Sequence, residues 1–254
     1  SLQNIEEIKN KVNFIQGSIT NPLDCQKATN NKELVFHLAA MTSVPESVIN
    51  PEKCNSINIT GTFNILEACK INNVKNFILS SSSAVYGNTE ITCDEKTKCN
   101  PLSPYGYSKL INEIYCKQYS QIFNINTVAL RYFNVFGPRQ NPNGSYAAVV
   151  AKFRYQLEHN LPIEIFGDGH QLRDFVPVER VVQANLSLAQ NAQTLSGEVF
   201  NIATGKSITL LELVDILKKE YPKYNNEIIF SEKRSGDTYI SKASCQKYLE
   251  YFSS

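Results

Sequence analysis

The sequence predicts an α/β fold, a doubly wound parallel sheet joined to a smaller α/β region, and three observations carry that expectation. Short apolar runs alternate with amphipathic helical stretches. Several of those runs are nearly continuous in apolar residues, as strands buried on both faces are. After about Gly137 the rhythm changes, and loops rich in Gly, Pro and Asn separate the segments. A repeated strand–helix–strand order argues for a parallel sheet between two layers of helices.

In chain order, a polar helical stretch at Asn4–Lys11 leads into a strand predicted at Val12–Gln16. Leu34–Ala40, Phe77–Ser81 and Thr127–Phe133 read as further strands. Between them, Gly61–Asn72 reads as a helix with Phe63, Leu66 and Ala68 turned inward. Ser103–Ser120 opens as a helix should: Ser103 can cap it, and Pro104 suits a first turn whose N–H groups lack partners anyway. Beyond Gly137, the loops Pro138–Ser145 and Phe166–Gln171 punctuate helices near Ala147–Glu158, Val178–Gln190 and Thr209–Glu220. Short strands fit Glu164–Phe166, Val199–Ala203 and Glu227–Phe230. The expected division is residues 1–137 for the sheet domain and mainly 138–254 for the second region, the chain crossing back around 177–203. The second region would pack at the carboxyl ends of the strands, where open α/β sheets bind ligands.

Composition narrows the partners. The 254 residues are 42% hydrophobic, enough for a sizeable core. Lys plus Arg number 25 and Asp plus Glu 24, so no global field attracts nucleic acid or an anionic membrane, and neither is expected as a partner. Seven cysteines (Cys25, Cys54, Cys69, Cys93, Cys99, Cys116, Cys245) form no C-x-x-C pair, and no signal-peptide pattern precedes them. No apolar run approaches the roughly 18 residues of a membrane span. Reduced thiols in a cytoplasmic protein are expected. His37, His159 and His170 are too far apart in sequence to suggest zinc, and no metal is expected.

Tyr105 and Lys109 stand one helical turn apart and project from one face. A phenol titrates at about 10, too high for a base near neutrality, and a neighbouring ammonium favours its ionised form. Alone, a Tyr-x-x-x-Lys pair is a weak signal that an exposed helix face also produces. The run before it sharpens the reading: the strand Phe77–Ser81 ends in Ser80, Ser81, Ser82 and Ser83, then Tyr86 and Gly87 turn the chain. Hydroxyls at a strand's carboxyl end, with a Tyr/Lys helix about twenty residues later, are where such a sheet collects its reactive groups.

With His37-Leu38-Ala39-Ala40, Asn58 before Thr60-Gly61-Thr62, and Leu130-Arg131-Tyr132-Phe133-Asn134, these residues resemble the extended short-chain dehydrogenase/reductase family in order and spacing over nearly the whole chain. The resemblance implies a Rossmann-like sheet and NAD as cofactor. It implies Tyr105 as general base, Lys109 as its activator and partner of the nicotinamide ribose, and Ser82 as a hydrogen-bond partner of the reacting hydroxyl. Leu38, Ala39, Ala40 and Tyr132 would line the cofactor, with Ser18 and Ile19 near adenine; Ser18 stands where the family usually has Asp. The family's glycine-rich turn is not found near the start of the sequence, so the resemblance implies a sheet that is N-terminally incomplete here, in a fragment that could itself be inactive.

Within the family, dehydratases carry an Asp-Glu pair directly after the hydroxyl residue, whereas this chain has Ser83 and Ala84. Asn134–Gln140, Pro142–Val150, Phe166-Gly167-Asp168-Gly169, Arg173-Asp174-Phe175 and Arg234-Ser235-Gly236-Asp237 resemble UDP-hexose and UDP-N-acetylhexosamine 4-epimerases. Two separated arginines on one crevice suit a diphosphate, because guanidinium forks match phosphate oxygens. The resemblance implies Arg173 and Arg234 on the diphosphate, Asp237 on ribose hydroxyls, and Asn134 on a phosphate or the sugar of a UDP-sugar substrate. Ser43, Gln140, Ala148, Val149 and Ser241 would surround the hexose, with the small Ala148 leaving room for an N-acetyl group. It also implies a homodimer formed through a helix bundle that includes the Tyr105 helix. The expected reaction is inversion at C4 through a 4-keto sugar. The competing readings are a sugar-nucleotide-binding relative without turnover, and another NAD-dependent reaction: dehydration, decarboxylation or reduction.

Overall fold

A computed structural model describes residues 2–142 and 148–252, apart from the side chains of Leu2 and Gln3. Residues 143–147, part of the motif Pro142–Val150 and the first residue of the helix expected at Ala147–Glu158, lie outside the described residues. After a 3₁₀ helix at Leu2–Lys11 come α1 (Pro22–Thr29), β1 (Leu34–His37), α2 (Val44–Ile49) and α3 (Pro51–Cys54). A π-helical stretch, Asn55–Thr60, joins α3 to α4 (Gly61–Ile71). Then follow β2 (Asn76–Ser82), α5 (Pro104–Ile122), β3 (Asn126–Tyr132), β4 (Asn134–Phe136) and α6 (Val149–Glu158). The chain ends through β5 (Ile163–Phe166), β6 (Leu172–Pro177), α7 (Val178–Gln190), β7 (Glu198–Ile202), β8 (Ser207–Thr209), α8 (Leu210–Lys218), β9 (Ile228–Ser231) and α9 (Gln246–Phe252).

The expected α/β class holds. The main sheet has the order β1-β2-β3-β7, every pair parallel. Its apolar runs are explained by two buried faces. Phe77 and Leu79 of β2 pack with Leu66 and Cys69 of α4 and Cys116 and Tyr119 of α5, while Ile78 between them packs with Val181, Ala184 and Leu188 of α7. Smaller sheets, β4-β6-β8 and β5-β9, build the second region, and α6 and α8 share a core with β5 through Phe153, Leu157, Ile163, Ile165, Val214 and Leu217. Ser103 caps α5, its hydroxyl accepting from the Gly106 N–H at 3.1 Å.

Two local expectations fail. Val12–Gln16 makes no ladder, and Val12 and Phe14 are 45% and 50% exposed. An extended apolar segment becomes a strand only with a partner, and among the described residues β1 pairs with β2 alone. Phe63 is 40% exposed and lies against Tyr115 of α5; the inward stripe of α4 is instead Thr62, Ile65, Leu66, Ala68 and Cys69. Three-residue spacing from Leu66 puts Phe63 on the margin of that stripe rather than its centre.

Candidate active site

Because the sheet is parallel, β1, β2 and β3 end at one edge, and the reactive side chains collect there. Ser82 closes β2 and caps a single 3₁₀ turn, Ser83–Val85, its hydroxyl accepting from the Ala84 N–H at 3.2 Å. Tyr105 sits in the first turn of α5 and lines the same cleft as Ser82. Lys109 is 3% exposed; its Nζ donates to the Ser80 carbonyl at 2.7 Å and lies 5.8 Å from the centre of the Tyr105 ring. One cleft of about 400 Å³ is lined by Leu38, Ser82, Tyr105, Lys109, Tyr132, Asn134, Gln140, Ala148 and Val149.

The electrostatics depart from the simplest sequence reading. Burial raises the Tyr105 pKa above that of an ordinary phenol, the Ser82 hydrogen bond opposing it. Burial also draws Lys109 down to about 8, with Cys54 and Glu113 acting against the shift. The ammonium that was expected to acidify Tyr105 faces the Ser80 carbonyl instead. His37, at the end of β1, is pulled down to about 3 by burial and then by Lys109, and its Nε2 lies 2.8 Å from the Thr62 hydroxyl. Behind the dyad, Asn58 accepts from the Met41 N–H at 2.8 Å and donates to Ser108 at 3.0 Å, joining the π-helical stretch to the β1 loop and α5.

A second and a third cleft adjoin the first. Ser82, Tyr105, Tyr132, Asn134, Arg173, Asp237 and Ser241 line one of them. Asn134, Val149, Lys152, Phe166, Gln171, Arg173, Arg234 and Asp237 line the other. Asn134 borders all three clefts, so one groove runs from Tyr105 to Arg234. Arg173 is 8% exposed and already held: it donates to Asp237 at 2.9 Å, to the Leu172 carbonyl at 2.9 Å and to the Tyr239 carbonyl at 3.3 Å. Asp174, fully buried, anchors β6 beneath it by accepting from Thr204 and Gly205. Arg234 stacks 3.8 Å over the centre of the Phe166 ring. Asn134 donates to the Asp174 carbonyl and Gln140 to the Val135 carbonyl, both at 3.1 Å.

The remaining candidates stand apart. Ser43 caps α2, between Thr42 and Val44, which do line the groove. Ala39 and Ala40 follow β1 without lining the Tyr105 cleft. Ser18 is exposed and tied to Asp24, and Ile19 packs against Gly61, also away from that cleft. Sequence reasoning missed Lys152, Gln171, Cys54 and Glu113. Glu113 alone left a readable signal, since it repeats the one-turn spacing that joins Tyr105 to Lys109.

The arrangement fits a nicotinamide group: Leu38, 58% exposed, offers an uncovered apolar surface on the same cleft as a buried ammonium and a phenol. The model of the NAD dependent epimerase/dehydratase family matches residues 1–203. A putative UDP-glucose 4-epimerase of Methanocaldococcus jannaschii is 39% identical over 240 residues, 93% of this chain and 76% of that protein. The solved UDP-glucose 4-epimerase of Thermus thermophilus in complex with NAD superposes with a TM-score of 0.90 at 29% identity, over 97% of this chain and 80% of that one. The UDP-N-acetylglucosamine 4-epimerase of Methanobrevibacter ruminantium, in complex with UDP-N-acetylmuramic acid, gives 0.89 at 37% identity, over 98% and 79%. Family match, fold and relatives agree: the chain belongs to the NAD dependent epimerase/dehydratase family, and its cofactor is NAD.

Proposed function

We propose that this protein inverts C4 of a UDP-hexose or UDP-N-acetylhexosamine through a 4-keto intermediate. The observation that carries the proposal is the continuous groove, with Ser82, Tyr105 and Lys109 at one end and Arg173, Arg234 and Asp237 at the other. NAD, when bound, supplies the hydride acceptor and donor. Leu38, Tyr132 and Lys109 would hold its nicotinamide end, Ala39 and Ala40 would line the cofactor farther along, and Ser18 and Ile19 would lie near its adenine end. Tyr105 takes the C4 hydroxyl proton and returns it, while Ser82 orients that hydroxyl. Burial alone keeps the Tyr105 phenol protonated. Its ionised form therefore needs positive charge in the cleft, which the Lys109 ammonium, 5.8 Å from the Tyr105 ring centre, and the cationic ring of bound NAD would supply together.

Arg173 and Arg234 would grip the diphosphate and Asp237 the ribose, so Asp237 must exchange or share its bond to Arg173. Ser43, Asn134, Gln140, Ala148, Val149 and Ser241 then border the space in which the tethered keto sugar turns over. We assign residues 1–137, with the 177–203 crossing, to the NAD-binding domain and the remaining residues to sugar-nucleotide binding. A homodimer through α4 and α5 is supported by the exposed Phe63, Tyr107 and Ile114, at 40%, 52% and 61%. Dehydration has weaker support, because Ser83 and Ala84 offer no carboxylic acid beside Ser82.

The test is incubation of NAD-loaded protein with UDP-glucose, UDP-N-acetylglucosamine and the C4 epimer of each. Interconversion of at least one pair is expected. Absence of any interconversion with NAD bound would remove the epimerase reading and leave a binding protein or another reaction.

A further inference from the structure

Three consecutive residues at the tip of β2 meet three successive turns of α5. Ser82 lines the same cleft as Tyr105, the Ser80 carbonyl accepts from Lys109, and the Ser81 hydroxyl donates to the carboxylate of Glu113. Glu113 is 7% exposed and lies one turn beyond Lys109 on the same helix face. Arg131 of β3 clamps it with two bonds, Nε at 2.9 Å and Nη2 at 2.7 Å. Arg131 also donates to the Tyr86 hydroxyl at 2.9 Å, and Tyr86 donates to Asn201 of β7 at 2.7 Å. The network thus spans β2, β3, β7 and α5 beneath the reactive residues.

Stability does not account for such a network. Removing two charges from water costs as much as their attraction returns, and an apolar pair would hold a helix on a sheet as well. What an apolar pair cannot provide is directional bonds that fix the register of α5 against the tip of β2. The groups that face Lys109 are His37 from β1, Cys54 from α3, and Tyr105 and Glu113 from α5 itself. Burial keeps His37 neutral and raises the Cys54 thiol and the Tyr105 phenol. Glu113, clamped by Arg131, is the carboxylate on that helix face one turn from Lys109.

We propose that Glu113 is a positioning residue for the epimerase chemistry: it keys α5 to β2 so that Tyr105 and Lys109 face Ser82 and Ser80. The proposal rests on the reading of Tyr105 and Lys109 as the proton-handling pair.

The test is the steady-state kinetics of Glu113→Gln in the NAD-loaded enzyme. With α5 no longer keyed to β2, kcat is expected to fall by about tenfold or more, because the reacting groups lose their alignment. KM for the UDP-sugar and NAD affinity are expected to stay within about twofold, since no binding contact changes. A merely structural Glu113 would lower folded yield and leave kcat per folded molecule unchanged; an unchanged kcat in folded E113Q overturns the proposal. If E113Q does not fold because Arg131 is left buried and unpaired, the double variant E113Q/R131Q removes both charges. There kcat should fall with KM unchanged, and an unchanged kcat overturns the proposal equally. Lys109→Met separates this proposal from the one beneath it: full activity in that variant would remove the proton-handling pair itself.

Discussion

The two ends of the groove are built differently. At the Tyr105 end, an all-parallel four-stranded sheet holds the reactive groups through bonds within the protein: Lys109 to Ser80, the Tyr105 N–H to Ser47, Asn58 to Ser108. His37, Asn58, Lys109, Asn112 and Glu113 are all buried there. At the Arg234 end, two small sheets and a loop carry the binding groups, which hold one another: Arg173 pairs with Asp237, whose side chain is 48% exposed, and Arg234 lies on Phe166. The difference teaches a division of labour. In the proposed reaction, charge develops at the first end, where preorganised groups are worth most. At the second end the proposed UDP-sugar would replace existing partners, so contacts there are exchanged rather than added.

If that division is right, the largest effect belongs to the first end. Tyr105→Phe removes the proton acceptor and leaves the groove's shape, so kcat should fall by about 10³-fold or more, roughly 4 kcal/mol of barrier. UDP binding should be little changed, measured by calorimetry beside steady-state rates. Surviving turnover would show that another group moves the proton.

The buried polar layer of that end should also appear in acid stability. His37 titrates near 6.5 when unfolded and at about 3 when folded, so the unfolded chain binds a proton that the folded chain refuses. Stability falls as pH drops through that window, and at pH 4 the loss should be about 3 kcal/mol. His37→Gln, which cannot titrate, should lose correspondingly less between pH 7 and pH 4 in denaturant unfolding. An equal acid loss in both proteins would show that His37 is not held neutral.

At the other end the expected effects are smaller and fall on binding. Arg173→Ala should weaken UDP affinity by about a hundredfold, about 2.7 kcal/mol, by removing a partly desolvated fork from the diphosphate. With UDP-sugar at saturation, kcat should change by much less. A loss confined to kcat would mean that Arg173 serves the chemistry rather than the tether.

The same contrast explains what the sequence revealed. At the Ser/Tyr/Lys end, helix period put Tyr105 and Lys109 on one face and the strand's end offered four serines, while the family resemblance singled out Ser82 among them. Val12–Gln16 misled because apolar alternation reports the capacity to be a strand, whereas a ladder needs a neighbour. Phe63 misled because helical spacing finds a stripe but not its centre. The pairing of Arg173 with Asp237 joins residues 64 apart in sequence, and no local pattern carries it. The direction of the Tyr105 shift was also beyond reach, since it depends on how deeply α5 is buried and on where the Lys109 ammonium points.

The smallest expected effect concerns the sugar itself. Ala148 is the residue just before α6, with extended backbone at φ −58° and ψ 136°, so a larger L-residue fits that conformation without strain. Its side chain borders the Tyr105 cleft beside Gln140 and Val149, where extra volume must project toward the ligand or displace a neighbour. Ala148→Leu should therefore cost an N-acetylated hexose more than a plain one. About a tenfold fall in the ratio of kcat/KM for UDP-N-acetylglucosamine to that for UDP-glucose is expected, near the 1–3 kcal/mol that a steric change of this kind produces in a pocket. A ratio that stays constant while both values fall would place the N-acetyl group elsewhere in the groove, and Ala148 would be a packing residue of α6 rather than a gauge of the sugar.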